Sequence, residues 1–458
     1  MNAAKHIWTV LTTPRSLGRG PVRPMSKKRR QRRRGIAIVT VMLAVSFIIV
    51  LSNQFGGSTN IDMIAAANYR DQMRSHFLAR SASNLSELVI RLQQRIDNTQ
   101  QLRDMGIQIT DFADQVLLAF CGSSEEVMAA VGFDSTTTRG LGADIGTCGI
   151  NGTITTEDDK ININCANASA SVAESIRQTV YSLVYSPAYD PIFEEEDAEG
   201  YRRDRQKQAD AIVDYVDTNT YRGSDSRSGA MEDYGYENLK DQYKAKNNYI
   251  DTISELKLVR GVDDRFWTLF GSSFTAYGGC KVNLSALTNT PLIVALLQAS
   301  AKNGNDPIFQ QPQKLWLLAS LVAKAKQFGM TFQNINEFVE FVKDPRKQLG
   351  ALAGETSMAG SAANAAINAG IPGLSSSEPI GMELDAGKLG SVAMTGPRRT
   401  YRVEAWGEIE RKQKGPDGSP VFPPIRSTIT SVWDTRMVPQ NARKPPQPRG
   451  GWVYMREN

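Results

Sequence analysis

Seven of the eight residues from Lys27 to Arg34 are cations, and after Gly35 no charged residue occurs before Asp62. The stretch from Ile36 to Phe55 has the length of roughly 20 apolar residues that a helix needs to cross a bilayer. A buried core helix is the alternative, but a core helix does not normally follow a cluster of cations. The pattern therefore predicts one membrane-spanning helix. Because positive residues remain on the cytoplasmic side, we expect the bulk of the chain outside the inner membrane.

The net positive charge of the chain comes from this leader alone. The 458 residues carry a formal net charge of +5, yet the first 35 residues hold 11 basic and no acidic side chains. The remainder has 42 basic against 48 acidic residues, a net charge of −6. A nucleic-acid-binding domain would instead spread Lys and Arg over a folded face. We therefore expect no nucleic-acid partner. Either Met1 or Met25 could be the start of the leader.

Groups for catalysis are scarce. The chain contains only two histidines, His6 in the leader and His76 beyond the apolar run. This disfavours histidine-based acid-base catalysis and histidine-ligated zinc. No pair of carboxylates stands out at a spacing that sequence alone assigns to acid-base work. We therefore predict a protein that is not an enzyme.

The apolar run continues as an amphipathic helix. From Tyr69 to Ile96, apolar residues recur at the three-and-four spacing of one helix face. Gly56 and Gly57 mark a predicted flexible point, because each costs about 1 kcal/mol against Ala in a helix. No small-residue cleavage site of the Ala-x-Ala kind ends the run, so a conventional secretory signal is disfavoured.

A basic leader that ends in Gly, an immediate apolar helix and an amphipathic continuation resemble the class III signal of type IV prepilins and of type II secretion pseudopilins. The resemblance implies that prepilin peptidase cuts after Gly35 and that Ile36 becomes the methylated N-terminus. Most members carry Glu at the fifth mature position, where this chain has Thr40. In lacking this Glu, the chain resembles the K family of minor pseudopilins of type II secretion. A Glu in the apolar interior of the membrane is costly unless it pairs with the N-terminal amine of a neighbouring subunit. A subunit at the tip of a filament has no such neighbour above it, so the absence of the Glu is consistent with a tip position.

Three further stretches resemble the K family in their order along the chain. They are Lys160–Ala166, Ala211–Asn219 and Asn248–Val262. The resemblance implies an α+β fold with a type IV pilin-like long N-terminal helix on an antiparallel sheet and a large inserted all-helical domain. It also implies a non-enzymatic minor pseudopilin that caps the tip of a periplasmic pseudopilus. The implied partners are other minor pseudopilins in a tip complex, prepilin peptidase and the inner-membrane secretion platform.

An internal repeat supports two helical lobes. The motif at Lys160 (Lys-Ile-Asn-Ile-Asn) is echoed at Lys281 (Lys-Val-Asn-Leu-Ser), and that at Thr252 (Thr-Ile-Ser-Glu-Leu) at Asn334 (Asn-Ile-Asn-Glu-Phe). Chance similarity is the alternative, since such short patterns are common. The predicted divisions are a cleaved leader (1–35), the transmembrane part of the helix (36–56), the amphipathic helix with the first strands (57–168), the inserted helical domain (169–349), a connector (350–398) and the C-terminal strands with a Pro-rich tail (399–458).

Two composition shifts underlie the last divisions. Residues 350–377 contain 18 Gly, Ala or Ser out of 28, which predicts a flexible connector. Residues 400–410 and 425–433 alternate polar and apolar side chains around a turn, which predicts a β-hairpin. Residues 439–448 form a Pro-rich tail that we expect to be exposed.

All four cysteines, Cys121, Cys148, Cys165 and Cys280, follow the membrane segment. An even count in an oxidising compartment predicts disulfides, and four cysteines allow three connectivities. The local loop favours Cys121 with Cys148. A metal site is disfavoured because no Cys-x-x-Cys pair exists.

An acidic series runs from Asp214 to Asp233. Its spacing is not that of an EF-hand, so the residues alone favour a solvated acidic loop. The K-family resemblance implies structural calcium in this region, with Asp217, Glu232 and Asp233 as the expected ligands.

Two rival functions share some of these features. A minor pilin of a type IV pilus would use the same export signal. A membrane-anchored DNA-uptake protein would use residues 254–270 as a helix-hairpin-helix module, but Gly261 is followed within three residues by Asp263 and Asp264. Two carboxylates where a phosphate would bind repel DNA.

Overall fold

The computed structural model describes residues 27–99, 102, 108–121, 146–196, 202, 204–223, 231–232, 234, 236–327, 332–345, 347–348, 380–410, 423–437 and 450–457. The chain divides into two compact units, residues 1–70 and residues 71–458. The first 26 residues of the leader, residues 350–379 of the predicted connector, the hairpin turn from 411 to 422 and the Pro-rich tail at 439–448 lie outside the described residues.

The described elements are numbered in chain order. The α-helices are α1 (Lys27–Asn98), α2 (Ala113–Cys121), α3 (Ala170–Val184), α4 (Asp190–Glu194), α5 (Arg205–Asp214), α6 (Asp264–Phe270), α7 (Thr290–Ala299), α8 (Pro312–Gln327), α9 (Ile335–Lys343) and α10 (Ala386–Val392). The strands are β1 (Thr147–Ile150), β2 (Thr155–Thr156), β3 (Ile161–Asn162), β4 (Phe274–Thr275), β5 (Val282–Asn283), β6 (Ala393–Met394), β7 (Thr400–Ile409), β8 (Ile425–Asp434) and β9 (Gly451–Glu457). Short 3-10 helices lie between them.

In the first unit, α1 is long and apolar enough to cross a membrane. From Ile36 its most apolar window has a mean hydropathy of 2.5, and none of that window is buried inside the protein. The helix runs through Gly56 and Gly57 without a break. Thr40 directs its hydroxyl to the carbonyl of Ile36 at 2.8 Å. Its polar group is therefore satisfied within the same helix.

In the second unit, the rest of α1 packs on an antiparallel sheet. The buried face of the helix combines the large side chains of Leu78, Val89 and Ile90 with five small ones, namely Ser75, Ala79, Ala82, Ser83 and Ser86. Small residues allow the helix to approach the sheet closely. At Gly407 on β7, an added Cβ would lie 2.2 Å from the Ser75 carbonyl oxygen and 2.5 Å from the Ala79 nitrogen. Only glycine fits there without moving the helix.

The sheet has the strand order β1-β7-β8-β9, with β2 also paired to β7, and every pair is antiparallel. Strand β7 alternates as predicted, with Tyr401, Val403, Ala405 and Ile409 buried against the core. The hairpin of β7 and β8 pairs Thr400 with Asp434 at one end and Ile409 with Ile425 at the other. The predicted hairpin is confirmed, and so is the α+β class.

Two separate hydrophobic cores show where the insertion lies. One core comprises residues from Leu78 to Ile154 together with Tyr401 to Trp433. The other draws only on residues between Ile161 and Ala393. The second core is therefore contiguous in sequence and interrupts the first.

The inserted segment contains two lobes with matching turns, lobe 1 (161–278) and lobe 2 (282–396). In lobe 1, β3 pairs in parallel with β4, and in lobe 2, β5 pairs in parallel with β6. The Asn162 side chain donates to the Gly278 carbonyl at 3.1 Å and accepts from the amide two residues further on. Asn283 makes the same contacts, to the Gly396 carbonyl at 3.0 Å and to the second amide after it. Both glycines have positive φ.

Helix starts also correspond between the lobes. Thr252 and Glu255 form a capping box at the 3-10 helix Ile253–Leu258. In lobe 2 the Asn334 side chain accepts from the Glu337 amide, and the Glu337 carboxylate accepts from the Gln333 amide. Such reciprocal contacts satisfy the free amides of a helix N-terminus. The repeat seen in the sequence thus has a structural counterpart at both motifs.

The observed boundaries differ from the predicted ones at three places. The inserted core begins at Ile161 rather than at 169, because β3 pairs with β4. Residues 380–394 do not behave as a connector: Ile380, Met382 and Leu389 are buried in the inserted core. The tail region ends in a strand, β9, which adds to the edge of the sheet beside β8.

Each of the two disulfides lies within one part of the fold, and neither links the sheet core to the inserted core. Cys121 at the end of α2 is bonded to Cys148 in β1, the local pair that the sequence favoured. Cys165 is bonded to Cys280, which links the start of lobe 1 to the segment that precedes β5.

Candidate metal centre

The candidate site lies where α5 ends in lobe 1. The helix is capped by Asp204, whose carboxylate accepts from the amides of Gln206 and Lys207. Asp214 is its last residue, and Asp217 follows three positions later. Glu232 is brought in by a short antiparallel contact between Tyr221 and Met231 and by its own amide, which donates to the Thr220 carbonyl at 3.3 Å.

One carboxylate oxygen from each of Asp214, Asp217 and Glu232 lies within 4.8 Å of the others. Asp214 and Asp217 are buried, and Glu232 is half-buried. Three carboxylates this close repel one another in a low-dielectric surrounding. Either protons or a cation must compensate that charge.

Asp214 is already compensated by groups of the chain. Its Oδ1 accepts from Arg177 Nη2 at 3.0 Å. Its Oδ2 accepts from the Gly223 amide at 2.8 Å and from the Tyr234 hydroxyl at 2.6 Å. Arg177 also forms ion pairs with Glu174 at 2.9 Å and Asp210 at 3.0 Å. Asp214 therefore has a fixed orientation and a partner cation, and it supplies negative charge to the two other carboxylates.

The other two carboxylates are compensated less: Asp217 accepts the Asn219 amide at 3.3 Å, and neither forms an ion pair among the described residues. Burial, followed by the charge of Asp214, raises the pKa of Asp217 to about 7. Burial and the charges of Asp214 and Asp217 raise the pKa of Glu232 to about 8. Both oxygens of Glu232 are buried and accept no hydrogen bond from the described residues. Buried unpaired oxygens of this kind are costly and point to a missing partner.

A divalent cation fits this donor set. Calcium takes six to eight oxygen ligands, mainly carboxylates and carbonyls, in flexible geometry. The cluster offers carboxylate oxygens only, without histidine or cysteine, which favours a hard cation over zinc. The residues present thus fit the ion that the family resemblance implies. Bound there, the ion would cross-link the end of α5 to the segment around Glu232.

The structure brings together some of the predicted ligands and adds others. Asp217 and Glu232 were expected from the sequence, and they do converge. Asp233 lies outside the described residues. Asp214 completes the cluster, although no pattern in the acidic series singled it out as a ligand. Its i, i+3 relation to Asp217 at a helix end is the one local signal that could have identified it.

The predicted processing positions are part of α1. The helix includes Gly35 and Ile36, and Ile36 is 68% exposed. Thr40 lies one turn further on.

The helix-hairpin-helix alternative has no open phosphate site at its second helix. Gly261 has a positive φ of 85°, as a tight corner between two helices requires. However, the Asp263 carboxylate accepts from the Phe266 amide at 2.8 Å and so caps α6 itself. The amides that would bind a phosphate already face a negative charge.

Comparison with known proteins gives one family match. The family described as type II secretion system (T2SS), protein K, matches residues 161–277. This segment begins at β3 and ends one residue before the glycine that closes lobe 1. It contains every residue of the acidic cluster.

A solved structure also resembles the chain. It is the crystal structure of the GspK-GspI-GspJ complex from the type 2 secretion system of enterotoxigenic Escherichia coli, with a TM-score of 0.38 and 14% identity. The similarity covers 68% of this chain and 80% of that one. No curated protein sequence matches the chain. The family match confirms, over residues 161–277, the resemblance to protein K of the type II secretion system.

Proposed function

We propose that the protein is a non-enzymatic minor pseudopilin of a type II secretion system. It is inserted in the bacterial inner membrane by α1, with its N-terminus in the cytoplasm and its C-terminal bulk in the periplasm. The observation that carries this proposal is the protein K match over lobe 1 in a chain whose described residues include one helix long and apolar enough to cross a membrane. The seven cations from Lys27 to Arg34 favour this orientation.

In this role the apolar helix packs beside the helices of other minor pseudopilins. Between Ile36 and Phe55 its side chains are apolar and are not covered by other parts of the chain. Thr40 makes its hydrogen bond within the helix, so this position requires no charged partner from a neighbouring subunit. A subunit without that requirement suits the end of an assembly, where no subunit is added above it.

The inserted lobes supply the bulk for capping. They form their own hydrophobic core between Ile161 and Ala393, in addition to the core of the pilin-like sheet. A second folded body on the sheet occupies space that the next subunit of a filament would need. This supports a position at the tip of the periplasmic pseudopilus.

Calcium binding belongs to the same proposal. Asp217 and Glu232 are the proposed ligands, Asp214 contributes charge, and Asp233 remains a predicted ligand. The ion orders lobe 1 and takes part in no reaction.

Mass spectrometry of the mature protein from cells that contain prepilin peptidase tests the export step. We expect an N-terminus at methylated Ile36. The variant Gly35→Leu should remain uncut, while Gly57→Leu, a matched change within the same helix, should be processed normally. A mature protein whose N-terminus follows an Ala-x-Ala site, or an uncut wild-type leader, would contradict the proposal.

Co-purification distinguishes the machines. Co-expression with the minor pseudopilins of a secretion operon should yield a complex with this chain. Assembly instead with the subunits of a type IV pilus would replace the secretion role by the pilus role, and retention of the chain on DNA would favour the DNA-uptake alternative.

A further inference from the structure

We infer that a cleft between the two lobes binds a neutral pyranose sugar. The cleft has a volume of about 360 Å³ and lies where α3 and α5 of lobe 1 meet α7 of lobe 2. Ligand sites occur preferentially at junctions between folded bodies, and volumes of about 300–1,000 Å³ are typical of them. Such a ligand is additional to the proposed role in secretion.

The charged groups of the cleft are paired with one another. The Arg177 side chain is 5% exposed and forms an ion pair with Glu174 at 2.9 Å. It also pairs with Asp210 and Asp214, each at 3.0 Å. The second oxygen of Glu174 accepts from the Gln178 amide at 3.2 Å. An anion would have to compete with three carboxylates for Arg177, and a cation would have to displace Arg177 from Glu174. The cleft is therefore suited to an uncharged ligand.

Uncharged polar side chains provide the hydrogen-bonding groups of the cleft. Gln178 and Ser182 lie one turn apart on α3, and Gln206 lies in the first turn of α5. Each glutamine is oriented by one bond to a carboxylate, Gln178 by Glu174 and Gln206 by Asp210, both at 3.2 Å. Within the described parts of the chain, no hydrogen bond reaches the carbonyl oxygen of either glutamine or the hydroxyl of Ser182. These groups match sugar hydroxyls, which both donate and accept.

An aromatic ring supplies the apolar surface that a sugar also needs. Tyr181 lines the cleft, and its ring is tilted against that of Tyr185 with centroids 5.6 Å apart. Because Glu174, Gln178, Tyr181 and Tyr185 are spaced by three or four residues, they share one face of α3. The C–H groups of a sugar ring can pack on such an aromatic face while its hydroxyls meet the amides. Ala299 is the one aliphatic side chain among the described lining residues, so an apolar ligand finds little to contact.

Titration of the full-length chain with neutral oligosaccharides tests this inference. The chain is kept in a detergent without a sugar head group, and calorimetry and saturation-transfer NMR are recorded with N-acetylchitotetraose, cellotetraose and maltotetraose. We expect at least one of them to bind with a Kd of about 1 mM or tighter. Preference for N-acetylchitotetraose would identify a glycan of the cell-wall type, and preference for either glucose oligomer would identify a glucan. Failure of all three to bind would overturn the inference.

Replacement of the two glutamines locates the bound sugar. Gln178 and Gln206 are exposed, so Gln178→Ala and Gln206→Ala should leave the melting temperature close to that of the wild type. Each should raise the Kd by about two- to tenfold, as the loss of one hydrogen bond requires, and the double variant by more. Gln313→Ala is the matched control, because Gln313 is an exposed glutamine of α8 that does not line the cleft. Its Kd should not change.

Two results would contradict the assignment although a sugar binds. A double variant with the wild-type Kd would place the sugar outside this cleft. Tighter binding of an anionic oligosaccharide, such as tetragalacturonate, would contradict the preference for an uncharged ligand. Either result would leave the secretion and calcium proposals unchanged, because neither depends on the cleft.

Discussion

Replacement of Gly407 by Ala tests the close contact between α1 and the sheet. The added Cβ would lie 2.2 Å from the Ser75 carbonyl oxygen, 2.5 Å from the Ala79 nitrogen and 2.6 Å from the Leu78 Cβ. Two of these atoms belong to the backbone of α1, so no side-chain rotation relieves the overlap. The helix has to move away from β7.

The cost follows from the number of contacts that shift. Overpacking of a well-packed core costs about 1–3 kcal/mol, and a displaced helix places this case in the upper half of that range. The shift would also strain the hydroxyl contact between Ser75 and Ser427, which is 2.6 Å long. Replacement of Gly by Ala stabilises by about 0.4–1 kcal/mol through the unfolded chain, which reduces the net loss to about 2 kcal/mol.

Thermal unfolding of the full chain in detergent measures this loss. At roughly 2–4 °C per kcal/mol for a domain of this size, we expect the melting temperature to fall by about 4–8 °C. Gly304→Ala is the matched control, because nothing lies within 4 Å of its Cβ position. It shares the unfolded-state effect and lacks the overlap. A Gly407→Ala protein that melts with the Gly304→Ala control would refute the argument, and faster hydrogen exchange confined to residues 71–98 would support it.

Two further predictions concern the junction between the sheet and the insertion. Arg402→Met should destabilise the protein by about 3 kcal/mol in thermal unfolding, because it removes the 2.5 Å ion pair to Glu157, which is 1% exposed. Burial acts to raise the pKa of Glu157, but Lys160 and Arg402 outweigh it and hold that pKa low. Equal stability of Arg402→Met and an exposed Arg91→Met control would count against a structural role for the pair. For Asp159, burial raises the pKa to about 7, above the value near 4 of the unfolded chain. The folded carboxyl retains a proton that the unfolded one loses, so its contribution to stability falls as the pH rises from about 4 to 7. Asp159→Asn should therefore raise the melting temperature at pH 8 but not at pH 4, and the same gain at both pH values would exclude this titration as the cause.

Periodic hydrophobic patterns in the sequence predicted the helices and strands that bury a single face against one core. Strands β7 and β8 lie within one residue of the predicted hairpin, because alternate side chains of β7 pack under α1. The start of the apolar helix at Ile36 also follows from composition alone. Strand β9 escaped prediction because its side chains are mostly exposed, and its extended form depends on pairing with β8.

Other features depend on contacts between residues that are distant in sequence. Residues 380–394 were assigned to a connector because the preceding stretch is rich in small residues, yet Met382 and Leu384 complete the inserted core.

The contiguous core of the insertion has a consequence for the order of folding. The sheet of the pilin-like unit requires β2 to meet β7, and the whole segment between Thr156 and Thr400 lies between them in sequence. Closing a flexible loop of that length would cost about 5 kcal/mol in chain entropy. The insertion can form its own core first, and the Asp158 carboxylate then accepts from the Thr400 amide at 2.9 Å. A folded insertion thus holds the two ends together, so once the lobes have formed the sheet can close over a short effective loop.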